Sequence, residues 1–326
     1  MQSYWMQTKD GNTTLELREA PRPEPGPQQL LVRVRAAGLN RGELIPGHGL
    51  QGKGGAAKAM GVEMAGEVVS WGEGVSGYTA GNRVMGRSAG SFAEYALLDL
   101  REAMRVPAAV SWEVAASIPL TFHVTYDMLV TQGRLQSGEW LLITGVSSGV
   151  GVTSMLMAKA LGAKVIGTSG SASKLDRLRK LGLDLGLPTR IADFADSVMK
   201  TTEGKGVNLV VNSVGGSVFG ECIRCMAFEG RLATVGYVDG VMTADMDIEA
   251  LHAKRLTLFG VSNKLRTPVQ RASGVPGFIK DILPMIADGR IQPPVDKVFP
   301  FEQLAQAKAY MESNQQLGKI VLSGCP

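Results

Sequence analysis

Short apolar runs separated by glycine and proline fill the first third of the chain, at residues 30–34, 65–69, 82–85 and 92–97. Runs of this length between turn residues predict strands. Their close spacing predicts a small, mostly antiparallel, barrel-like domain. Four prolines between 21 and 27 lie too early for an interdomain linker and stiffen a loop between strands. Residues 52–61 read as another loop.

From Ser111 the pattern changes. Ser111 is placed to cap a helix through Ala116, and a second apolar helix is expected at about 121–131. Strand and helix then alternate: strand 140–143, helix 150–161 closed by Gly162, strand 164–168, helix 172–181 closed by Gly182. Further strands are expected at 207–211, 231–235 and 256–261. Such alternation requires a parallel sheet with right-handed crossovers, which completes a doubly wound Rossmann fold. The tail reads as helix 277–288, strand 295–299, helix 301–311 and strand 319–322, returning to the first domain.

Composition narrows the function classes. At 326 residues the chain is long enough for two domains, and 41 glycines imply many tight turns. A net charge of +4 without a basic cluster gives no nucleic-acid footprint. No apolar stretch is long enough to span a bilayer and no basic-then-apolar leader opens the chain, so a cytoplasmic location is expected. Three cysteines, Cys222, Cys225 and Cys325, build neither a disulfide framework nor a four-cysteine zinc lobe. Cys222 and Cys225 fall in an amphipathic stretch at 218–226, where a spacing of three puts two small side chains on one helix face; a redox pair is the alternative.

The chemistry begins where strand 140–143 runs into Thr144-Gly145-Val146-Ser147-Ser148-Gly149-Val150-Gly151. A strand, a glycine-rich turn and a helix start let backbone N–H groups approach a pyrophosphate, and the helix adds about half a positive charge. Ser148, Gly149, Val150 and Gly151 are the candidate contacts. The spacing departs from G-x-G-x-x-G, so the strand-turn-helix context carries the reading. About twenty residues on, where an acid would hold the ribose of NAD, the chain reads Gly167-Thr168-Ser169-Gly170-Ser171-Ala172-Ser173-Lys174. With no acid there, Ser169 and Lys174 suit a 2′-phosphate, and Arg190 is a further candidate, so the cofactor expected is NADPH. Ser213 and Gly215 after the strand at 207–211, and Gly236 and Tyr237 after the next, lie at strand C-terminal ends, where open α/β sheets bind ligands.

Taken together with Ala36-Ala37-Gly38-Leu39-Asn40, Gly61-Val62-Glu63-Met64-Ala65-Gly66, Gly81-Asn82-Arg83-Val84, Asn212-Ser213-Val214-Gly215-Gly216 and Gly318-Lys319-Ile320-Val321-Leu322, these stretches resemble the zinc-independent quinone oxidoreductase branch, zeta-crystallin-like, of the medium-chain dehydrogenase/reductase superfamily. The resemblance covers nearly the whole chain. It implies an α/β architecture: a GroES-like mostly-β barrel catalytic domain, residues 1–124 and 264–326, plus a Rossmann NADPH-binding domain, residues 125–263. It implies that Asn40 and Thr125 lie beside the nicotinamide and that Ser262 and Asn263 contact its carboxamide; Tyr126 joins the catalytic candidates as a proton donor, and Lys319 the cofactor contacts. The zinc-ligand positions of zinc-dependent relatives fall on Asn40, Val62 and Thr121, none a good ligand, so no metal is expected; Glu63, His48 and His123 are conceivable replacements. In place of a tyrosine found after this asparagine in many relatives stand Ile45, Pro46, Gly47 and His48. The proton would then come from solvent, Tyr126, Tyr237 or Lys264.

Without a Lewis acid, hydride addition to a conjugated acceptor is favoured over alcohol oxidation. The function expected is NADPH-dependent reduction of a small quinone or α,β-unsaturated carbonyl. Two alternatives stand beside it: an enoyl-thioester (CoA or acyl-carrier) reductase, for which Arg41, Lys53 and Lys58 could receive the carrier, and a non-catalytic NADPH-binding protein. A homodimer through the strand at 256–261 is the family expectation.

Overall fold

Each apolar run of the first third becomes a strand because its side chains have two sheet faces to fill. The computed structural model describes residues 1–9, 12–44 and 56–324. His48, Lys53, Cys325 and the run Ile45-Pro46-Gly47-His48 lie outside the described residues. The chain divides into two compact units: Met1–His123, Thr267–Ala287 and Pro293–Pro326 form one, and Val124–Arg266 with Asp288–Gln292 the other.

In the first unit a seven-stranded sheet runs in the order Val295–Pro300, Lys319–Ser323, Gln29–Gly38, Glu63–Trp71, Arg83–Arg87, Met104–Arg105, with Tyr95–Asp99 also pairing Gln29–Gly38. All pairings are antiparallel except that of the first two strands. Register shifts at Leu31/Val32 and Val34/Ala36 bend the central strand. Leu30, Leu31 and Val32 are consequently all buried, where strict alternation would expose every second residue. The core gathers Val32, Val34, Met64, Phe92, Leu98 and Phe301, with Ile320 and Leu322 from the tail. A smaller sheet of Asn12–Glu19, Gln2–Lys9 and Lys58–Ala59 adjoins it; its hairpin was not anticipated, because polar Thr, Lys and Asn mask the alternation.

The second unit holds six parallel strands in the order Leu185–Leu187, Lys164–Thr168, Trp140–Thr144, Val207–Asn212, Met226–Thr234, Thr257–Gly260. This order, reversing direction at Trp140–Thr144, is the doubly wound topology. At the N-terminal end of the sheet buried Arg231 engages all five guanidinium hydrogens, on the Asn208, Gly133 and Arg134 carbonyls and both Glu139 oxygens. Cys222 and Cys225 lie in the core, and the Cys225 thiol donates to the Cys222 carbonyl. Burial pushes the Cys225 thiol up to about 12, and Cys222 rises as well.

Three helices depart from expectation. The helix of 218–226 shrinks to Phe219–Arg224 after a 3₁₀ turn at Gly216–Val218, because Met226 already starts the next strand. The helix of 277–288 is two, Val275–Asp281 and Leu283–Ala287, since Pro284 has no N–H for the ladder. The helix of 121–131 starts at Pro119, a residue suited to a first turn, and passes into π-helical geometry over Asp127–Gln132. The short strand Leu185–Leu187 and helices Ala195–Thr201 and Ile248–Ala253 are too brief for a clear period.

Candidate nucleotide and active site

Strand Trp140–Thr144 feeds helix Gly149–Ala160 through the glycine turn. The Ser148 side chain is the helix cap, accepting from the Gly151 N–H at 3.0 Å, so its hydroxyl oxygen serves the helix. Gly151 is required by close approach: a Cβ there would fall 2.6 Å from the Gly145 carbonyl oxygen. The Gly149 and Val150 amides open the helix, where the macrodipole favours an anion.

Strand Lys164–Thr168 ends beside this turn. The Gly145 N–H reaches the Thr168 hydroxyl at 3.2 Å, and the Ser147 and buried Ser169 hydroxyls are 2.9 Å apart. Ser171 caps helix Ala172–Lys180 through the Lys174 N–H. Exposed Arg190 lies along the Gly170 backbone, its Nε 2.1 Å from where a Cβ would sit. A guanidinium and serine hydroxyls thus stand at a strand end whose sequence carries no carboxylate, and the Lys174 N–H belongs to the first turn of the helix that follows.

Buried Asn212, which opens the Asn-Ser-Val-Gly-Gly stretch expected at the cofactor, organises the next turn from inside. Its Oδ1 accepts from the Thr144 hydroxyl and the Val214 and Gly215 N–H groups, and its Nδ2 donates to the Gly215 carbonyl. Ser213 is drawn to the glycine turn by its hydroxyl, which donates to the Thr144 carbonyl at 2.5 Å. The following strand leads to Gly236 and exposed Tyr237. Ser262 and Asn263 follow the last strand; Asn263 Oδ1 accepts from Arg266, and the Ser262 hydroxyl accepts from the Lys264 N–H. Thr125, also in this unit, is buried with a hydroxyl that has no hydrogen-bond partner; Tyr126 beside it is buried.

The first unit carries a separate polar centre. Glu63 is fully buried; its Oε1 accepts from Lys319 Nζ at 2.5 Å and Asn40 Nδ2 at 2.8 Å, and its Oε2 from the Leu120 N–H at 2.7 Å. Lys319 donates in addition to Asn40 Oδ1 and the Leu39 carbonyl. All three ammonium hydrogens are therefore engaged within this unit, which leaves Lys319 no donor for a cofactor. Asn40 is gripped at both ends of its amide. Neighbouring Glu43, also buried, accepts from the Gly61 N–H at 2.5 Å. Burial and the Glu63 charge push its carboxyl up to about 7, against the pull of that bond and of Lys319 and Lys58. Arg41 is occupied by the Met311 carbonyl and Asn314, while Lys58 is exposed.

This donor set does not fit zinc. Asn40, Val62 and Thr121 offer no thiolate, imidazole or carboxylate, and Glu63 is already committed to an ammonium, an amide and a backbone N–H. His123 is buried against Phe278 at a 5.1 Å centroid distance. Among the described residues no three His, Cys, Asp or Glu side chains are placed to share an ion.

Residues 26–108 match the family described as alcohol dehydrogenase GroES-like domain, and residues 149–272 that described as zinc-binding dehydrogenase. A phenolphthiocerol/phthiocerol polyketide synthase of Mycobacterium tuberculosis is 32% identical over 312 residues, 95% of this chain but only 14% of that protein. Among solved structures, Escherichia coli quinone oxidoreductase complexed with NADPH is similar with a TM-score of 0.86 and 26% identity, covering 99% of this chain and 100% of that one. The CurK enoyl reductase gives a TM-score of 0.82 and 26% identity, covering 98% and 99%. A GroES-like match over the β unit, a dehydrogenase match over the doubly wound sheet, and full-length likeness to oxidoreductases lead to one conclusion: the chain belongs to the medium-chain dehydrogenase/reductase superfamily.

Proposed function

We propose that this protein is an NADPH-dependent reductase that delivers hydride to a quinone or to the β-carbon of an α,β-unsaturated carbonyl, working as a homodimer. The observation that carries the cofactor assignment is the end of strand Lys164–Thr168, where Arg190 lies over Gly170 beside Ser169 and no acid is present to repel a 2′-phosphate. The NADPH complex of the Escherichia coli relative supports it. The residues fit the cofactor: the Gly149–Gly151 amides suit a pyrophosphate, Ser169, Lys174 and Arg190 suit the 2′-phosphate, and Ser213, Gly215, Gly236 and Tyr237 frame the same end of the sheet.

When bound, NADPH supplies the hydride. The protein's own part is positioning and charge stabilisation. The buried, partnerless Thr125 hydroxyl is the group best suited to meet the nicotinamide, and Ser262 and Asn263 offer amide and hydroxyl contacts. A conjugated acceptor places the incoming negative charge on an oxygen, where hydrogen-bond donors suffice and a metal is not required.

A second reading has its own support: the polyketide synthase and enoyl reductase relatives favour an enoyl-thioester acceptor. Both are tested by following NADPH absorbance with quinones, free enones and the matching thioesters. The expected result is acceptor-dependent oxidation that prefers NADPH to NADH, with a KM for NADPH raised about tenfold by Arg190→Ser. Turnover confined to the thioesters would establish the second reading. NADPH binding without oxidation by any acceptor would replace both with a non-catalytic role.

A further inference from the structure

The loop that follows strand Met226–Thr234 has no regular structure until helix Ile248–Ala253. Several of its apolar side chains face solvent, with Val238 60% and Met242 75% exposed. Packing therefore does little to fix it. One side chain does: the Asp239 carboxylate accepts from the Ser217 N–H at 2.9 Å and the Ser217 hydroxyl at 2.5 Å through Oδ2, and from the Val241 N–H at 2.9 Å through Oδ1. Backbone bonds run alongside, from Val235 N–H to the Asn212 carbonyl, Asp239 N–H to Val214, and Gly216 N–H to Val241. The carboxylate seats against Gly215, whose φ is +132° and where a Cβ would fall 2.0 Å from Asp239 Oδ1. Only glycine allows that approach and that backbone conformation.

We infer that Asp239 is a positioning residue for the cofactor: it fastens the Gly236–Tyr237 loop to the Ser213–Ser217 turn, so that the two segments form one prearranged wall of the nucleotide site. This rests on the NADPH reading above. Both segments stand at C-terminal ends of adjacent parallel strands, the end of the sheet where ligands bind. Asn212 holds the turn from within the sheet, and Asp239 holds the loop onto the turn from outside. Ordering the loop before the cofactor arrives removes that entropic cost from binding, so the contribution falls on affinity rather than on the chemical step.

The experiment compares Asp239→Ala and Asp239→Asn with the unaltered protein by three measurements: NADPH dissociation constants from fluorescence titration, kcat at saturating NADPH, and amide hydrogen exchange of the cofactor-free protein. Asp239→Ala is expected to raise the dissociation constant about tenfold, leave kcat within about twofold, and speed exchange at the Ser217 and Val241 amides while the strand amides keep their protection. Asp239→Asn keeps one acceptor oxygen and should recover part of the affinity. If the unaltered protein binds NADPH and Asp239→Ala binds it equally well, the inference is overturned while the cofactor assignment stands. If the unaltered protein fails to bind NADPH, both fall, whatever the exchange data give.

Discussion

His123 and Glu43, two buried titratable side chains of the first unit, are displaced in opposite directions. Burial, aided by the positive charge of Arg87, pushes the imidazole down to about 4, and its Nε2 finds no hydrogen-bond partner. An unfolded histidine takes its proton near pH 6.5. Between those values the unfolded chain holds more protons at this residue, so the stability His123 confers is present above pH 6.5 and is lost as pH falls toward 4. Glu43 runs the other way. Its folded carboxyl titrates near 7 and its unfolded one near 4.5, so its contribution is present below pH 4.5 and is lost as pH rises toward 7. Each shift is worth about 3 kcal/mol at 1.4 kcal/mol per pH unit, and between pH 4.5 and 6.5 the two slopes nearly cancel. Urea unfolding across that range should show His123→Leu losing stability relative to the unaltered protein as pH rises, and Glu43→Gln gaining it. Parallel curves for all three proteins would refute the opposed titration.

At the scale of elements, one buried ion pair ties together three segments distant in sequence. Lys319 begins the last strand, Glu63 begins strand Glu63–Trp71, and Leu39 and Asn40 follow strand Gln29–Gly38. Removing one partner leaves a buried charge uncompensated, which costs about 3–5 kcal/mol, whereas removing both charges together costs much less. Lys319→Met should therefore lower the unfolding free energy by about that amount, and Lys319→Met with Glu63→Gln should restore most of it; additive losses would show that the charges are not coupled. None of this was legible in the sequence, where Lys319 stood only as a cofactor contact and Glu63 only as a conceivable metal ligand. The pairing spans 256 positions and leaves no local pattern. The strands of the doubly wound sheet were legible for the opposite reason. Leu141, Leu142 and Ile143 are buried on both faces, and such a strand writes itself as an uninterrupted apolar run between turn residues. The glycine turn and the acid-free strand end were equally visible, since their chemistry is local. Asn212 left a trace in its Asn-Ser-Val-Gly-Gly context. Asp239, whose partner Ser217 is 22 residues away, left none.

At the scale of the whole molecule, the six-stranded sheet ends in two edges that differ in how they are protected. Leu185–Leu187 has three residues and is followed at once by Pro188, which cannot donate to a neighbouring strand. Thr257–Gly260 carries neither charge nor proline, and Thr257, Leu258 and Gly260 are all exposed. Phe228, on the adjacent strand, is 63% exposed. An uncharged, unblunted edge is a template for pairing, and pairing with the same edge of a second copy generates a closed twofold dimer that leaves no further edge of this kind. The proposed homodimer should give a two-chain mass by sedimentation velocity at micromolar concentration. Leu258→Lys sets like charges near each other across the twofold axis and should yield a one-chain mass without disturbing the NADPH affinity of each protomer, because the substitution lies on the outer edge, away from the glycine turn of Gly145–Gly151. A one-chain mass for the unaltered protein, or an undisturbed dimer in Leu258→Lys, would remove this edge as the interface.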